Sequence, residues 1–328
     1  MDKLIAQFPK QIADAIEIAK NADLSYHKEQ DFENVVICGM GGSGIGGKMV
    51  SQWFLSSANV PISLVQSYSL PGFVNENTLV IGSSYSGNTE ETLSVVKAAH
   101  EKGATIIGVS SGGELVKFCK ETKSDFIKVP GGNPPRSMLA FSVIQLIKIL
   151  SHNGIIDKSS LHEIDDCRHL LNTELITIKK EAKTLAEHVH KKLCVLYSST
   201  ELESVVIRAR QQFNENSKQL CWHHVVPEMN HNELVGWGGG NSDMAVVFFT
   251  SQFLSDRNKL RFEISSDIIS KKTSAIISIA GKGKSLIEES FYFIHIIDWA
   301  SLYLAELNGV DPVEIKVIDH LKGELSKS

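Results

Sequence analysis

Cysteines are few in this sequence, and they lie far apart. Five occur among 328 residues, at Cys38, Cys119, Cys167, Cys194 and Cys221, an odd number without a CxxC pair. Disulfide frameworks need paired cysteines, and zinc sites need closely spaced ligands. The sequence therefore predicts neither disulfides nor a metal site, indicates no cofactor, and is typical of the reducing cytoplasm.

The chain also lacks a basic surface and a long apolar segment. Its formal net charge is -5, and no block of like charge occurs. Nucleic acid is therefore not an expected partner. The N-terminal stretch MDKLIAQFPKQIADAIEIAKNA spaces its apolar residues as a helix does, and the apolar run SMLAFSVIQLI is too short to span a bilayer. We expect neither export nor insertion into a membrane.

Apolar runs typical of buried strands alternate with helical segments along both halves of the chain. The strand candidates are NVVIC, PISLVQS, NTLVIGSS and ATIIGVSS in the first half, and KLCVLYSS, DMAVVFFTS and TSAIISIAG in the second. Such alternation predicts the α/β class, with parallel sheets covered by helices. We divide the chain into a first domain with an N-terminal helix (1–152), a helical connector (153–190) and a second domain (191–328).

Two predicted strand-to-helix turns carry glycines and hydroxyl groups. GMGGSG occupies Gly39–Gly44, and SSYSGNT occupies Ser83–Thr89. The unsatisfied N–H groups and the positive dipole end of a helix N-terminus attract anions, and serine and threonine hydroxyls are neutral donors for phosphate oxygens. The two turns predict a phosphate site. The alternative is that Ser86, Asn88 and Thr89 only cap the following helix.

Two nucleotide-binding patterns match the glycine turn in part. Gly39–Gly44 fits GxGxxG, but no acidic residue between Glu33 and Glu76 could bind a ribose hydroxyl. Gly42–Lys48 fits the glycine and lysine positions of a P-loop, but Met49 replaces the residue that would hold magnesium. Both patterns are therefore disfavoured, and a single phosphate on a small molecule is the expected ligand.

The segments GMGGSGIGG and SYSGNTEET resemble the phosphate site of the sugar isomerase (SIS) domain. Together with NPPRS, FNENSK, NHNE and DHLK, they resemble the bifunctional phosphoglucose/phosphomannose isomerase family over nearly the whole chain. The resemblance implies two tandem SIS-type domains, each a parallel sheet flanked by helices. It also implies a homodimer that interconverts glucose 6-phosphate and fructose 6-phosphate, and also mannose 6-phosphate, through an enediol without a metal.

The resemblance further implies roles for individual residues. It assigns phosphate contacts to Gly42, Ser43, Ser84, Ser86 and Thr89. It assigns proton transfer to Glu215, ring opening to His231 and Lys322, and support of the enediolate to Arg136. A carboxylate suits transfer of the carbon-bound proton, an imidazole suits ring opening near neutral pH, and a guanidinium stabilises developing negative charge.

Chemistry alone does not choose among the acids and histidines of the segment HHVVPEMNHNELVGW. Glu228 and Glu233 compete with Glu215 for proton transfer, and His223 and His224 compete for ring opening. The segment mixes aromatic and apolar residues with its acids and histidines, which is typical of a cleft or a subunit interface. This composition and the family resemblance together predict a two-fold dimer in which His231 serves the site of the neighbouring subunit.

Mannose 6-phosphate is a less secure expectation than glucose 6-phosphate. The family has a threonine shortly before its C-terminal lysine, whereas Val310–Leu321 contains neither threonine nor glutamine. The alternative function is a phosphosugar-binding regulator or sensor without turnover. A DNA-binding helix-turn-helix with a basic surface would favour such a regulator, and the N-terminal segment is too short and too acidic for one.

Overall fold

The computed structural model describes residues 1–26, 31–325 and 327. They form two compact units. The first unit comprises residues 6–172 and 286–288, and the second unit comprises residues 1–5, 173–285 and 289–328. The division at 172/173 falls within the segment 153–190, which the sequence marks as a connector.

The first unit contains a parallel sheet of five strands in the order β2-β1-β3-β4-β5. Its elements follow α1 (Asp2–Ala6) and α2 (Phe8–Asn21) in the order β1 (Asn34–Cys38), α3 (Gly41–Trp53), β2 (Ile62–Val65), β3 (Thr78–Ser83), α4 (Glu90–Glu101), β4 (Thr105–Ser110), α5 (Gly113–Glu121), β5 (Asp125–Lys128), a 3-10 helix (Pro135–Ser137), α6 (Leu139–His152) and α7 (Ser160–Thr173). Every residue of β3 is buried. Because β1 and β3 are parallel neighbours, their carboxyl ends lie side by side. Parallel sheets bind ligands at this edge.

The second unit contains a parallel sheet of four strands in the order β7-β6-β8-β9. Its elements are α8 (Leu175–Val189), β6 (Leu193–Ser199), α9 (Glu203–Ser217), β7 (Cys221–Val226), a 3-10 helix (Glu228–His231), α10 (Glu233–Gly236), β8 (Met244–Thr250), α11 (Asp256–Ser270), β9 (Ile276–Ala280), α12 (Leu286–Asn308) and α13 (Lys316–Leu325). The first three residues of α12 belong to the first unit. The predicted class, two parallel sheets flanked by helices, is confirmed.

Five helices and strands were not expected from the sequence, namely α5, β5, β7, α10 and α13. The segment HHVVPEMNHNELVGW is rich in polar residues, yet its first four residues belong to the edge strand β7. Most of the segment Gly39–Gly44, which the sequence predicts as a turn, belongs to α3, which begins at Gly41. Among the described helices, none has the length and hydropathy that a bilayer crossing requires.

The early start of α3 depends on close backbone packing. A Cβ atom placed on Gly44 would lie 2.6 Å from the carbonyl oxygen of Gly39 and 2.5 Å from the Gln66 side-chain nitrogen. Real Cβ atoms do not approach other atoms so closely, so only glycine fits. The glycines therefore form the first turn of α3 itself, beside the end of β1.

Candidate active site

The turn after β3 is closed by its own hydroxyl groups. The Ser84 and Thr89 hydroxyl oxygens are 2.7 Å apart. The backbone N–H of Gly87 donates to Ser84 Oγ at 3.1 Å, and that of Asn88 donates to Ser86 Oγ at 3.2 Å. The three hydroxyls predicted from this turn to contact phosphate are therefore gathered at the carboxyl end of β3.

The Thr89 side chain does not cap α4. Thr89 occupies the N-cap position of α4, but its side chain makes no capping hydrogen bond. Met40 likewise precedes α3 without a side-chain cap. Since the first N–H groups of a helix have no partner within it, these two described helices offer donors and a positive dipole end to an anion.

The loop before α5 fixes the shape of the hydroxyl turn. Gly87 has φ +74°, and a Cβ placed on it would lie 1.8 Å from the carbonyl oxygen of Gly112. Leu115 N–H donates to Gly87 O at 2.9 Å, and Glu114 N–H donates to Asn88 Oδ1 at 3.0 Å. The glycine is required both by its dihedral angle and by this close approach.

Two further loops of the first unit contact the hydroxyl turn. Tyr85 N–H donates to Ser43 Oγ at 3.1 Å, which joins the turn to α3. The N–H of Asn133 donates to the Tyr85 hydroxyl at 3.3 Å, which joins it to the NPPR loop. A Cβ on Gly42 would lie 3.3 Å from Pro135 O, so that loop also packs on α3.

Arg136 lies in the 3-10 helix of the NPPR loop and is only 4% exposed. A guanidinium keeps its charge when buried, and surroundings of low polarity strengthen its effect on a nearby negative charge. The five predicted phosphate contacts and the loop that carries Arg136 therefore lie together in the first unit.

Two other hydroxyls of the same turn were not selected from the sequence. Ser83 and Thr92 are each 1% exposed, and in the described part of the chain their hydroxyl oxygens have no hydrogen-bond partner. Buried hydroxyls are usually paired. The sequence contained a signal for both, because they lie in the same hydroxyl-rich run as Ser86.

The corresponding turn of the second unit follows β8 and satisfies its donors internally. Ser255 Oγ accepts from Asn258 N–H at 3.3 Å and so caps α11. The N–H of Gln252 donates to the buried carboxylate of Glu289 at 3.1 Å. The second turn thus holds a carboxylate of its own chain.

Glu215 lies in the last turn of α9, next to a buried polar network. One guanidinium nitrogen of Arg208 is 2.8 Å from both carboxylate oxygens of Asp298 on α12, and Gln212 donates to the same carboxylate at 2.7 Å. Asn216 donates to Ser301 Oγ at 2.9 Å. Burial raises the pKa of Asp298, and the Arg208 charge opposes that shift. The network fastens α9 to α12, and Glu215 itself is half-buried.

His231 and Lys322 lie on two other elements of the second unit. His231 ends the 3-10 helix that follows β7, and Lys322 lies in α13; both are exposed. The structure therefore places the predicted proton-transfer and ring-opening residues in the second unit and the phosphate contacts in the first.

Glu233, which competes with Glu215 for proton transfer, anchors its own segment. Its carboxylate accepts hydrogen bonds from the buried Tyr197 hydroxyl and, at 3.1 Å, from Trp222 Nε1. Trp237 Nε1 donates to the Tyr197 hydroxyl at 2.8 Å. Burial and then the hydrogen bond to Glu233 raise the pKa of Tyr197. The two hydrogen bonds tie the Glu233 carboxylate to aromatic side chains of its own unit, so this geometry favours a structural role.

Glu228 and His223, in the same segment, have surroundings of their own. Glu228 accepts a hydrogen bond from the Asn232 side chain at 2.8 Å. Burial and then the Arg210 charge lower the pKa of His223 to about 4. Since a histidine with such a pKa is neutral near pH 7, His223 is poorly suited to donate a proton in ring opening.

In the described ranges, no group of three His, Cys, Asp or Glu residues could hold a metal ion.

Family comparisons cover both units. The SIS domain model matches residues 30–123, and a model described as "Bacterial phospho-glucose isomerase C-terminal SIS domain" matches residues 178–325. A bifunctional phosphoglucose/phosphomannose isomerase from Caldicellulosiruptor bescii is 36% identical, with 100% of this chain and 99% of the relative covered. The chain belongs to the bifunctional phosphoglucose/phosphomannose isomerase family.

Another bifunctional phosphoglucose/phosphomannose isomerase, from Aquifex aeolicus, is also 36% identical and covers 90% of this chain and 91% of its own. The C-terminal domain of glucosamine-fructose-6-phosphate aminotransferase from Francisella tularensis has the same fold. Its TM-score is 0.77 at 14% identity, with 95% of this chain and 97% of that chain covered. Membership of the phosphoglucose/phosphomannose isomerase family supports sugar phosphate isomerase activity and favours catalysis over a regulator or sensor without turnover.

Proposed function

We propose that the protein interconverts glucose 6-phosphate and fructose 6-phosphate, and also mannose 6-phosphate, through an enediol without a metal or other cofactor. The observation that carries the proposal is the pair of turns at the carboxyl ends of β1 and β3, which together form a cup. Two described helices begin there without side-chain caps, beside the hydroxyls of Ser84, Ser86 and Thr89. Family membership supplies the reaction class.

The 6-phosphate group binds in this cup. Its oxygens accept hydrogen bonds from the hydroxyls and from the first-turn N–H groups of α3 and α4, where the helix dipoles favour negative charge. In the pair formed by Ser84 and Thr89, one hydroxyl donates to the other, which leaves the second free to donate to the phosphate. Gly42 and Ser43 contribute from the first turn of α3.

Glu215 transfers the proton between C1 and C2. Its carboxylate removes the proton that the adjacent carbonyl has acidified, and returns it to the neighbouring carbon of the enediol. The network of Arg208, Gln212 and Asp298 holds the helix that carries this base. Because its helix is held in place, the Glu215 carboxylate stays within reach of both C1 and C2, and the proton transfer needs no prior change of conformation.

His231 and Lys322 open the sugar ring before the proton transfer. An acid protonates the ring oxygen while a base removes the proton from the anomeric hydroxyl, and imidazole performs such exchange near neutral pH. The buried guanidinium of Arg136 stabilises the negative charge that develops on the enediolate. Each of these roles is separate from holding the phosphate.

We extend the proposal to a cytoplasmic homodimer in which His231 acts in the site of the neighbouring subunit. All five cysteines are free, as in a reducing compartment. Subunit exchange between a Glu215→Gln protein and a His231→Ala protein tests the shared site. Mixed dimers should recover activity if His231 crosses the interface. Proven mixed dimers without recovery would mean that each site is complete within one chain.

A coupled assay with fructose 6-phosphate and EDTA tests the reaction itself. We expect glucose 6-phosphate to form at the same rate with and without the chelator, and a parallel assay should convert mannose 6-phosphate. No product from either sugar would overturn the isomerase proposal. Product that disappears with EDTA and returns with a divalent cation would overturn the metal-free mechanism. Product from fructose 6-phosphate alone would remove mannose 6-phosphate from the substrates.

A further inference from the structure

The ammonium group of Lys218 joins two segments of the second unit. Lys218 follows the last residue of α9 with φ +52°. Its Nζ atom donates to three backbone carbonyl oxygens, at 2.8 Å to Glu215, 2.6 Å to Asp311 and 2.8 Å to Glu314. An ammonium has three N–H donors, so the contacts match its full number of donors.

These carbonyls belong to the segments that carry two proposed functional residues. One is the carbonyl of Glu215, the proposed proton-transfer base. The other two lie directly before α13, which carries Lys322. No residue of α13 is buried. Because burial contributes little to holding α13, its position depends more on the hydrogen bonds of the segment that precedes it.

We propose that Lys218 is a positioning residue that holds Glu215 and the segment leading to Lys322 in a fixed relation during isomerisation. The inference rests on the proposed function, because it takes the roles of both residues from there. A positive charge is also favourable where the last carbonyls of a helix carry the negative end of its dipole. The ammonium therefore binds the end of α9 and the approach to α13 together.

A direct contact between Lys218 and the substrate phosphate does not fit this geometry. With three donors directed at three carbonyl oxygens, none of them is left to bind an anion. The planar fork of arginine cannot reproduce three contacts around one nitrogen. Lys218→Arg is therefore expected to behave as a loss of the clamp and not as a conservative change.

The principal variant is Lys218→Met, which keeps an unbranched side chain that is one atom shorter and removes its donors. Lys191→Met is the matched control. Lys191 lies in the same unit, is exposed and has φ +56°, and in the described part of the chain its ammonium makes no hydrogen bond. The two changes therefore alter the same residue type in the same backbone conformation.

We expect Lys218→Met to lower kcat with fructose 6-phosphate by about 10- to 100-fold, the loss that follows a displacement of about 1 Å. KM should change little, because the phosphate cup lies on other elements. Amide hydrogen exchange in α13 should become faster than in Lys191→Met. In Lys218→Ala, propylammonium added to the buffer should restore part of the lost kcat, which a general loss of folding would not allow.

Three outcomes overturn the inference. They are a kcat within twofold of the Lys191→Met value, unchanged exchange in α13, and a loss of kcat that follows a lowered Tm and does not respond to propylammonium. If the native protein does not isomerise fructose 6-phosphate, both the proposed function and this role of Lys218 fail. If the native protein is active and Lys218→Met is equally active, only the role of Lys218 fails.

Discussion

The hydroxyl oxygens of Ser84 and Thr89 lie 2.7 Å apart across the turn between β3 and α4. Because Thr89 bonds to another hydroxyl, its side chain does not cap the helix that it precedes. In a protein with a simple capping threonine, the same oxygen would accept an N–H bond of the first turn. The N–H groups of the first turn of α4 stay available to a ligand, and the pair holds one further hydroxyl donor beside them.

Replacing Ser86 and Thr89 together with alanine should weaken phosphate binding strongly. Hydrogen bonds to a charged group contribute about 1.5 to 3 kcal/mol each, so affinity for fructose 6-phosphate should fall by about 100-fold or more. Titration calorimetry with the sugar and with inorganic phosphate measures the change. The control variant replaces Thr184 and Ser270 with alanine, because their hydroxyls only donate to carbonyl oxygens of their own helices. Equal affinity in the two double variants would place the cup elsewhere.

Gly87→Ala should destabilise the protein far more than Gly103→Ala. Both glycines have similar positive φ angles, +74° and +80°, so both changes introduce backbone strain of about 1 to 2 kcal/mol. A Cβ on Gly87 would also lie 1.8 Å from Gly112 O, whereas the nearest atom to a Cβ on Gly103 is 3.6 Å away. Urea unfolding of both variants measures the difference, and phosphate binding should be lost only in Gly87→Ala. Similar unfolding free energies for the two would contradict the close packing of the turn.

Glu215→Gln should bind substrate but lose turnover by about 10²- to 10⁴-fold, the usual contribution of a positioned acid or base. In deuterated water, the native enzyme should incorporate deuterium at the isomerised carbon, because the proton on the base exchanges with solvent. The variant should lose exchange and isomerisation together. Glu228→Gln and Glu233→Gln serve as comparisons. Normal turnover in Glu215→Gln, with both signals lost in one of these two, would assign the base to the other segment.

His295 should make the folded protein less stable as the pH falls. Burial and then the charge of Lys179 lower the pKa of His295 to about 3. The unfolded chain binds this proton near pH 6.5, so the unfolded state holds more protons between about pH 3 and 6.5. The contribution of His295 to stability is therefore complete above about pH 6.5 and is lost as the pH falls towards 3.

The change His295→Gln tests this linkage, since glutamine does not titrate but can still accept from Trp299 Nε1, as His295 does at 3.3 Å. Between about pH 4 and 6, the slope of unfolding free energy against pH should decrease by about one proton, or about 1.4 kcal/mol per pH unit. Urea unfolding at several pH values gives the slope. The same slope in both proteins would show that His295 takes up its proton in the folded state.

The strands that sequence patterns predicted are those with long apolar runs, such as β3 and β8. The missed strands lack such runs for physical reasons. β5 has four residues with a charge at each end, and the edge strand β7 contains His223 and His224 and pairs with one neighbour only. The start of α3 was missed because glycine has a low helix propensity, which close packing overrides here.

The hydroxyl turn could be found from the sequence because its chemistry is local, with its hydroxyls and glycine contiguous in the chain, and its role in binding phosphate stays a prediction. Whether these hydroxyls are available to a ligand or cap α4 depends on contacts that are not local in the sequence. It depends on the bond between Ser84 and Thr89 and on the distant loop at Gly112. The clamp of Lys218 is similar, since Asp311 and Glu314 lie more than ninety residues further along the chain. The roles of Glu215, His231 and Lys322 remain predictions based on family resemblance.

The polar network between α9 and α12 allows only one longitudinal register of the two helices. Arg208, Gln212 and Asn216 recur every four residues and face Asp298 and Ser301. A slide by one helical turn, about 5.4 Å, would move the guanidinium away from the buried carboxylate. Leaving one partner of a buried ion pair alone costs about 3 to 5 kcal/mol, whereas apolar side chains lose little when they slip past one another. The position of the Glu215 carboxylate along the axis of α9, relative to α12, is therefore set by the ion pair of Arg208 two turns earlier and not by the shape of the core.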